Sequence, residues 1–369
     1  MIDHISPDIA LFLDTLQVGG AEKVFVSLAN KFARSGLNVD LVVVRRSGPL
    51  VAELDCKIRV TYLSGGREIW SRFPAICRYL ASAQPEVVLS AFVQVNVMVV
   101  LARRITWARC RVVISEHSMF SVSHGSNNRV SRRQRLFPCL ARFAYPLADE
   151  IVAVSDGVAD DLADVTGLAR DRITVVYNPV EQTHVRRREA SGRGENKTAT
   201  ARLVCCGRLE PAKDFPTLIY SLQRLSKSRA VHVDLLGDGS QEEALKMLAK
   251  QLGVDELITF HGYVADPFEF YQCADVFVLS SAWEGFGNVL VEAMACGLPV
   301  VSTNCPSGPA EILANGAYGP LVPPGNAIAL AEAIASVLDN PVDTDALIRR
   351  AAEFLPENAA AQYRRILGI

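Results

Sequence analysis

The feature that most constrains this chain is a repeated alternation. Short apolar runs, several of them rich in Val and Ile and without polar alternation, are separated by longer amphipathic stretches. In the first half the runs are Ile9–Leu13, Leu41–Val44, Val87–Leu89, Val112–Ile114, Ile151–Val154 and Ile173–Val176. Continuous apolar runs of this length fit strands buried on both faces, and intervening segments such as Ala21–Ser35 read as helices. Strand, helix, strand in succession implies a parallel sheet with right-handed crossovers. The alternation breaks once, at Glu181–Thr200, a polar stretch rich in Arg, Gly and Thr that reads as a linker. It restarts with Leu203–Cys206, Val231–Leu236, Ile258–Phe260, Val276–Leu279, Val300–Ser302 and Pro320–Val322. The expected fold class is α/β: two doubly wound, Rossmann-like domains facing across a cleft, over residues 1–180 and 201–355, with 181–200 between them.

Composition narrows the setting. Half of the 369 residues are apolar, enough for sizeable cores, and the formal net charge of −2 argues against a dedicated nucleic-acid binder. Nine cysteines, an odd number with no CxxC pair, read as reduced core residues of a cytosolic protein. Met1–Ala10 lacks the pattern of a signal peptide, and the longest apolar run, Val97–Ala102, is far short of a membrane span. The expectation is a soluble protein, or at most one attached to a membrane surface.

In doubly wound sheets ligands bind beyond the carboxyl ends of the strands, which singles out four loops. The first run leads into Gly19-Gly20-Ala21-Glu22, where paired glycines let backbone amides approach an anion at a helix start; a plain tight turn fits equally. Ser115-Glu116-His117 ends another strand, and His117 can both donate and accept hydrogen bonds, although a structural role suits a lone histidine as well. Gly207-Arg208-Leu209-Glu210-Pro211-Ala212-Lys213 sets two cations on one loop, able to clamp a diphosphate or to lie solvated. Glu284-Gly285-Phe286-Gly287-Asn288-Val289 follows Val276–Leu279 and runs into a helix that carries Glu292. The amides near Gly287 and Asn288 would lie at that helix's positive end, and Glu292 could accept from vicinal ribose hydroxyls. Glu284 could hold sugar hydroxyls or offset positive charge on a sugar carbon; a capping glutamate and a solvated one remain the plainer alternative.

Taken in order, these words resemble one family. Glu284 to Glu292 is similar to the E-x7-E motif of retaining glycosyltransferases of the GT-B fold, family 4 in particular. GGAE (Gly19–Glu22), SEH (Ser115–His117), VSDGV (Val154–Val158), YNPV (Tyr177–Val180), GRL-x3-KD (Gly207–Asp214), LGDG (Leu236–Gly239), EGFGNVLVEAMACGLPVV (Glu284–Val301) and CPSGPAEIL (Cys305–Leu313) fall in register from about residue 10 to about residue 335. The last two words resemble the subgroup that extends lipid-linked or surface glycans with a hexose or N-acetylhexosamine. The resemblance implies a nucleotide-sugar donor, with UDP as the nucleotide, a glycan or lipid-linked glycan acceptor, and no cofactor or metal. It further implies that Arg208 and Lys213 neutralise the diphosphate, that Glu284 contacts the sugar and Glu292 the ribose, and that Gly287, Asn288 and Val289 offer amides. Gly207, Gly285 and Phe286 belong to the same donor loops. Gly19 and Gly20 would line the acceptor and donor-phosphate side of the first domain, with His117 beside the transferred sugar. The first domain would take the acceptor and the second the nucleotide sugar, and a terminal helix over 356–369 would cross back onto the first.

Other features have plainer readings. Asn128–Leu147 sets Arg129, Arg132, Arg133, Arg135 and Arg142 beside Leu136, Leu140, Phe143 and Leu147 at helical spacing, with a break expected at Pro138. Such a segment can rest on an anionic membrane, which would place the protein at the inner face of the cytoplasmic membrane, or be an ordinary helix with a basic face. Asp160-Asp161 reads as a solvated helix face rather than a metal site, and the six histidines show no metal-ligand spacing. LGDG lacks the third glycine of a dinucleotide fingerprint, and no Gly-x-Ser-x-Gly elbow occurs. The tail from Glu357 reads as a helix with Ala359, Tyr363 and Ile366 on one face. Two alternatives stay open here: an epimerase of the same fold, and a non-catalytic partner subunit.

Overall fold

A computed structural model describes residues 6–45, 48–66, 69–123, 137–182, 200–340 and 342–369. The chain forms two compact units, Met1–Pro179 together with Pro356–Ile369, and Val180–Leu355.

The first unit runs β1 (Ile9–Leu13), α1 (Gly20–Arg34), β2 (Val39–Val43), β3 (Arg59–Tyr62), α2 (Phe73–Ala83), β4 (Val87–Ala91), α3 (Val93–Thr106), β5 (Arg111–Glu116), α4 (Phe120–Ser123), α5 (Phe137–Ala144), β6 (Glu150–Ala153), α6 (Asp156–Thr166) and β7 (Ile173–Val175). Its seven strands form one parallel sheet in the order β3-β2-β1-β4-β5-β6-β7. All residues of β1, β2 and β4 are buried, Asp40 and Ser90 among them, as expected of strands covered on both faces. Helix α1 buries Val24, Phe25, Leu28, Ala29 and Phe32, the spacing of one helical face. Ser155 caps α6 by accepting from the Val158 amide at 3.2 Å.

The second unit runs β8 (Ala201–Cys206), α7 (Phe215–Leu225), β9 (Val231–Leu236), α8 (Glu242–Leu252), β10 (Ile258–Gly262), α9 (Phe268–Cys273), β11 (Val276–Leu279), α10 (Asn288–Ala295), β12 (Val300–Thr303), α11 (Pro309–Ile312), β13 (Leu321–Val322), α12 (Ala327–Asp339) and α13 (Thr344–Ala352). Its six strands are also parallel, in the order β10-β9-β8-β11-β12-β13. The last helix, α14 (Pro356–Leu367), belongs to the first unit and packs on α1 and β5. Pro356, Ala359, Ala360, Tyr363 and Leu367 are its buried residues, and Ile366 packs partly buried against the same core.

Each sheet buries one aspartate on its second strand. Asp40 accepts from Arg59 Nη2 at 2.7 Å, Thr61 Oγ1 at 2.8 Å and Tyr79 Oη at 2.6 Å. Asp234 meets Arg202 Nη2 at 3.0 Å and His261 Nε2 at 2.8 Å. Burial raises the Asp234 pKa, but hydrogen bonds from His261 and Arg202 outweigh it and hold the carboxyl below its ordinary range.

Several expectations are corrected. Strand β3 carries no apolar run: it is an edge strand with exposed ends, present because it brings Arg59 and Thr61 to Asp40. In α5 the buried residues are Phe137, Ala141 and Ala144, continued by Tyr145, while Phe143 is 74% exposed. Phe143 therefore lies off the expected apolar face, Leu140 and Leu147 are half-buried, and Pro138 lies in the helix's first turn instead of breaking it. Asp161 is buried and accepts from the Ser121 amide at 3.2 Å, where it caps the start of α4; only Asp160 is solvated, beside Arg170 at 2.6 Å. Of the nine free cysteines, Cys56, Cys139 and Cys273 are exposed, so the core reading holds for Cys110, Cys205, Cys296 and Cys305. Arg129, Arg132, Arg133 and Arg135, and most of the 181–200 linker, lie outside the described residues.

Candidate active site

In each sheet the strand order reverses between the first strand and the strand that begins its other half. That is β1/β4 in the first unit and β8/β11 in the second. Loops following such strands are where doubly wound sheets hold ligands.

In the second unit the loops after β8 and β11 are tied together. Lys213 Nζ meets Glu284 Oε1 at 2.5 Å, with the two side chains 19% and 10% exposed. Ser281 Oγ donates to the same carboxylate oxygen at 2.6 Å. Below this pair, Ser280 Oγ donates to the Lys213 carbonyl at 2.8 Å and the Ala282 amide to the Ala212 carbonyl at 2.8 Å. Arg208 is exposed at the end of β8 and forms no ion pair with a described residue. One cation is thus neutralised by a built-in carboxylate, and a second is uncompensated on the same loop.

The loop that carries Glu284 is clamped from a third side. Ser307 Oγ donates to the carbonyls of Glu284 at 3.0 Å and Gly285 at 2.8 Å. Gly308, at φ +83°, lies so close that a Cβ there would come within 1.9 Å of the Phe286 carbonyl oxygen, so no other residue fits. The Phe286 ring is buried edge-on against Phe354 at 5.5 Å. Gly287, at φ +103°, turns the chain into α10, whose first residues are Asn288 and Val289. Glu292 lies one turn further and accepts from Tyr271 Oη at 3.2 Å. Tyr271 is fully buried, and burial together with the Cys206 and Glu292 neighbours raises its pKa well above the ordinary value, so its hydroxyl stays protonated as a donor.

The first unit has a different chemistry at its strand ends. Gly19 is the extended residue before α1, and Gly20 opens the helix and is exposed. His117 is half-buried after β5, flanked by Phe25 at 5.7 Å and Phe92 at 6.4 Å. Its Nε2 lies 3.0 Å from Ser115 Oγ, while Nδ1 is out of solvent contact and has no hydrogen-bond partner among the described residues. Burial alone pushes its pKa down to about 3, so the ring is neutral. Phe92 holds φ +71° at the end of β4, a strained backbone for a bulky residue beside the switch point. On the opposite side of β5, Glu116 is buried with Asn96 Nδ2 at 2.7 Å and the Tyr145 hydroxyl as donors. Desolvation raises its pKa to about 7.

Comparison with known proteins follows this division. Residues 18–184 match the family described as Glycosyltransferase Family 4, and residues 187–354 the family described as Glycosyl transferases group 1. The chain is 24% identical over 344 residues to the N-acetylgalactosamine-N,N'-diacetylbacillosaminyl-diphospho-undecaprenol 4-alpha-N-acetylgalactosaminyltransferase of Campylobacter jejuni, covering 90% of each chain. It is 28% identical over 273 residues to the lipopolysaccharide 1,6-galactosyltransferase of Escherichia coli K12, covering 73% of this chain and 69% of that one. Among solved structures, Anabaena HepE in complex with UDP-glucose superposes with a TM-score of 0.81 at 22% identity, covering 98% of this chain and 99% of that one. The chain is a GT-B glycosyltransferase.

The glycosyltransferase fold brings Lys213 and Glu284 into contact and sets Glu292 on the helix that the Glu284 loop opens. Sequence reasoning missed the residues that hold them: Ser281, Ser307 and Tyr271. Ser307 lies within the CPSGPAEIL word, and Ser280-Ser281 interrupts the apolar run of β11 at its carboxyl end, a signal that was available. Tyr271 carries no such signal. Among the described residues no helix is long and apolar enough to cross a membrane.

Proposed function

We propose that this glycosyltransferase moves a hexose or N-acetylhexosamine from UDP-sugar to a hydroxyl of a lipid-linked or lipopolysaccharide acceptor, with retention of configuration. The carrying observation is the Lys213–Glu284 pair, built from the loops after the two strands that flank the second unit's switch point. The acceptor class comes from the relatives, which act on a diphospho-undecaprenol glycan and on lipopolysaccharide by their names. Such acceptors suit work at the inner face of the cytoplasmic membrane.

In this reading the second unit takes the donor. Arg208 and Lys213 hold the diphosphate, whose oxygens compete with Glu284 for Lys213, and the amides of Gly287, Asn288 and Val289 add donors at the start of α10. Glu292, aimed by Tyr271, accepts from the ribose hydroxyls, and Glu284 contacts the sugar. The first unit takes the acceptor near Gly19 and Gly20 and supplies His117 to the transferred sugar. As the bond to the anomeric carbon breaks, charge builds on the departing phosphate, and fixed cations stabilise it more than they stabilise the intact donor. The acceptor hydroxyl attacks from the same face, and the departing phosphate takes its proton. Burial lowers the proton affinity of His117, which makes it a weak base beside the departing phosphate. No metal is required, since the two cations neutralise the leaving group.

A panel of UDP-sugars in a thermal-shift assay identifies the donor, since a ligand of the native state alone raises the melting temperature. With that donor, Arg208→Ala and Lys213→Ala each lower turnover by about 10²- to 10³-fold. Near-normal turnover in both overturns the clamp, an inverted anomer in the product overturns retention, and loss of activity in EDTA overturns metal independence.

A further inference from the structure

The chain passes between the units twice, after Pro179 and after Leu355. The two connections meet within the second unit. The Val180 amide donates to the Phe354 carbonyl at 2.9 Å, and Gln182 Nε2 donates to the Ala351 carbonyl at 2.8 Å. The segment that offers those carbonyls also holds the Glu284 loop with its side chains. Phe354 is buried with its ring edge-on to Phe286 of that loop, at 5.5 Å. Arg350 engages all three of its guanidinium nitrogens. Nε donates to the Ile312 carbonyl at 2.9 Å and Nη2 to the Glu311 carbonyl at 2.6 Å, at the end of α11, while Nη1 meets Glu353 Oε2 at 2.5 Å. A cationic fork on the last carbonyls of a helix satisfies groups that the helix leaves unpaired. At the other end of α11, Ser307 grips the Glu284 loop from a backbone at φ +70°. A left-handed backbone at a residue with a side chain is strained, and it persists only where its surroundings hold it. Ser307 is held on both sides, by its hydroxyl on the loop and by α11 on Arg350.

We propose that Arg350 and Phe354 are positioning residues for the Glu284 loop, and that a nucleotide bound at that loop tightens the contact between the two connections. The inference rests on the reading of the loop as the nucleotide-sugar site. A ligand that binds one arrangement of a loop better shifts the population toward it, and whatever holds that arrangement shares the preference. The coupling is reciprocal: loosening the grip of Arg350 or Phe354 weakens the nucleotide by the factor with which the nucleotide strengthens the grip. Two paths carry it. One is direct, from Phe286 to Phe354; the other runs through α11, from Ser307 to Arg350. Occupancy of the second unit's site is thereby felt at the residues from which the chain continues into the first.

The test uses the full chain, with UDP as the probe. Hydrogen exchange at the Val180 amide reads the opening of its bond to Phe354, and the Leu245 amide of α8, bonded to the Gln241 carbonyl at 2.9 Å, serves as the reference. In the wild type, saturating UDP slows exchange at Val180 about fivefold or more relative to Leu245. Arg350→Met and Phe354→Leu each reduce that extra protection and raise the UDP Kd about fivefold by calorimetry. Phe286→Leu does the same, and the double variant Phe286→Leu/Phe354→Leu binds UDP no more weakly than the weaker single variant, because both remove one contact. Wild-type exchange alone decides the coupling if a variant fails to fold. UDP bound with no added protection at Val180, or with an unchanged Kd in Arg350→Met and Phe354→Leu, overturns the coupling and leaves the donor site standing. A wild type that does not bind UDP overturns both.

Discussion

The two units share one winding and differ in how they treat charge. Both sheets reverse strand order beside their first strand, and in both the candidate site residues lie in loops at the carboxyl ends of strands. In the second unit those loops hold partly exposed ions: Arg208 uncompensated, and Lys213 against Glu284. In the first unit the corresponding region is more desolvated: Ser115, Glu116 and His117 are hydrogen-bonded, and burial shifts Glu116 and His117 toward their neutral forms. The difference teaches what each can bind. Ions kept near water can trade one anionic partner for another, which suits a diphosphate. Neutral groups fixed in a dry environment discriminate hydroxyls by direction, because a mismatched donor or acceptor there has no water to fall back on.

The largest effect that tests this contrast is the pH dependence of stability. Glu116 has a folded pKa raised to about 7, from a model-compound value of 4.5, so its contribution is full below 4.5 and is lost as pH rises to about 7. His117 has a folded pKa lowered to about 3, from 6.5, so its contribution is full above 6.5 and is lost as pH falls toward 3. Neighbours in sequence, they pull in opposite directions between pH 4.5 and 6.5 and partly cancel. Each tenfold change in proton affinity carries about 1.4 kcal/mol, so either alone would tilt stability by several kcal/mol. Glu116→Gln should therefore gain stability steeply from pH 4 to 7, and His117→Gln should lose it. Chemical denaturation across that range checks the pair, and parallel curves for the wild type and both variants would erase the contrast.

Next in size, Glu284→Gln separates binding from turnover in the charged unit. Without its carboxylate partner Lys213 is available to phosphate, so UDP should bind several-fold tighter by calorimetry, while transfer slows by about 10²-fold for loss of the sugar contact. Weaker UDP binding would mean that the pair holds Lys213 in place rather than competing for it. A smaller difference is expected between the two strand aspartates. Asp40→Asn removes the charge from a fully buried site facing Arg59, Thr61 and Tyr79, and should cost about 2–4 kcal/mol in urea unfolding. Asp234→Asn, at a site 7% exposed with two hydrogen-bonding side chains, Arg202 and His261, in place of three, should cost about half that. The smallest effect is that of Ser307→Ala. Loss of the clamp on the Glu284 and Gly285 carbonyls should raise the donor KM about fivefold, one hydrogen bond's worth, with the melting temperature nearly unchanged.

Much of the framework was legible because parallel strands buried on both faces are rich in Val, Ile and Leu. Ile9–Leu13, Val231–Leu236 and Val276–Leu279 were readable for that reason, and the structure has strands at those bounds. Arg59–Tyr62 was not, since an edge strand half in water carries the composition of a loop. The α5 face was misplaced because its register depends on what covers it: Phe143 is as apolar as Phe137 but is turned to solvent. At the site, residues inside the recurring words were legible, Lys213 and Glu284 among them. Tyr271 and Tyr363 were not. Each is an aromatic residue on an apolar helix face, and only the tertiary structure reveals a hydroxyl aimed at Glu292 or Ser115. A hydrogen bond spanning 248 residues leaves no local trace in the chain.

Helix α14 completes the first unit after the chain has traversed the whole of the second. During synthesis, therefore, the sheet that starts folding first lacks the side chains of Ala359, Ala360, Tyr363 and Leu367 until the ribosome has made everything from Val180 to Leu355. The early-made half must wait with an apolar flank of α1 uncovered, while the later-made half can close as soon as it emerges. Chaperone dependence, and damage from a ribosome that stops short, would then fall on the segment translated first.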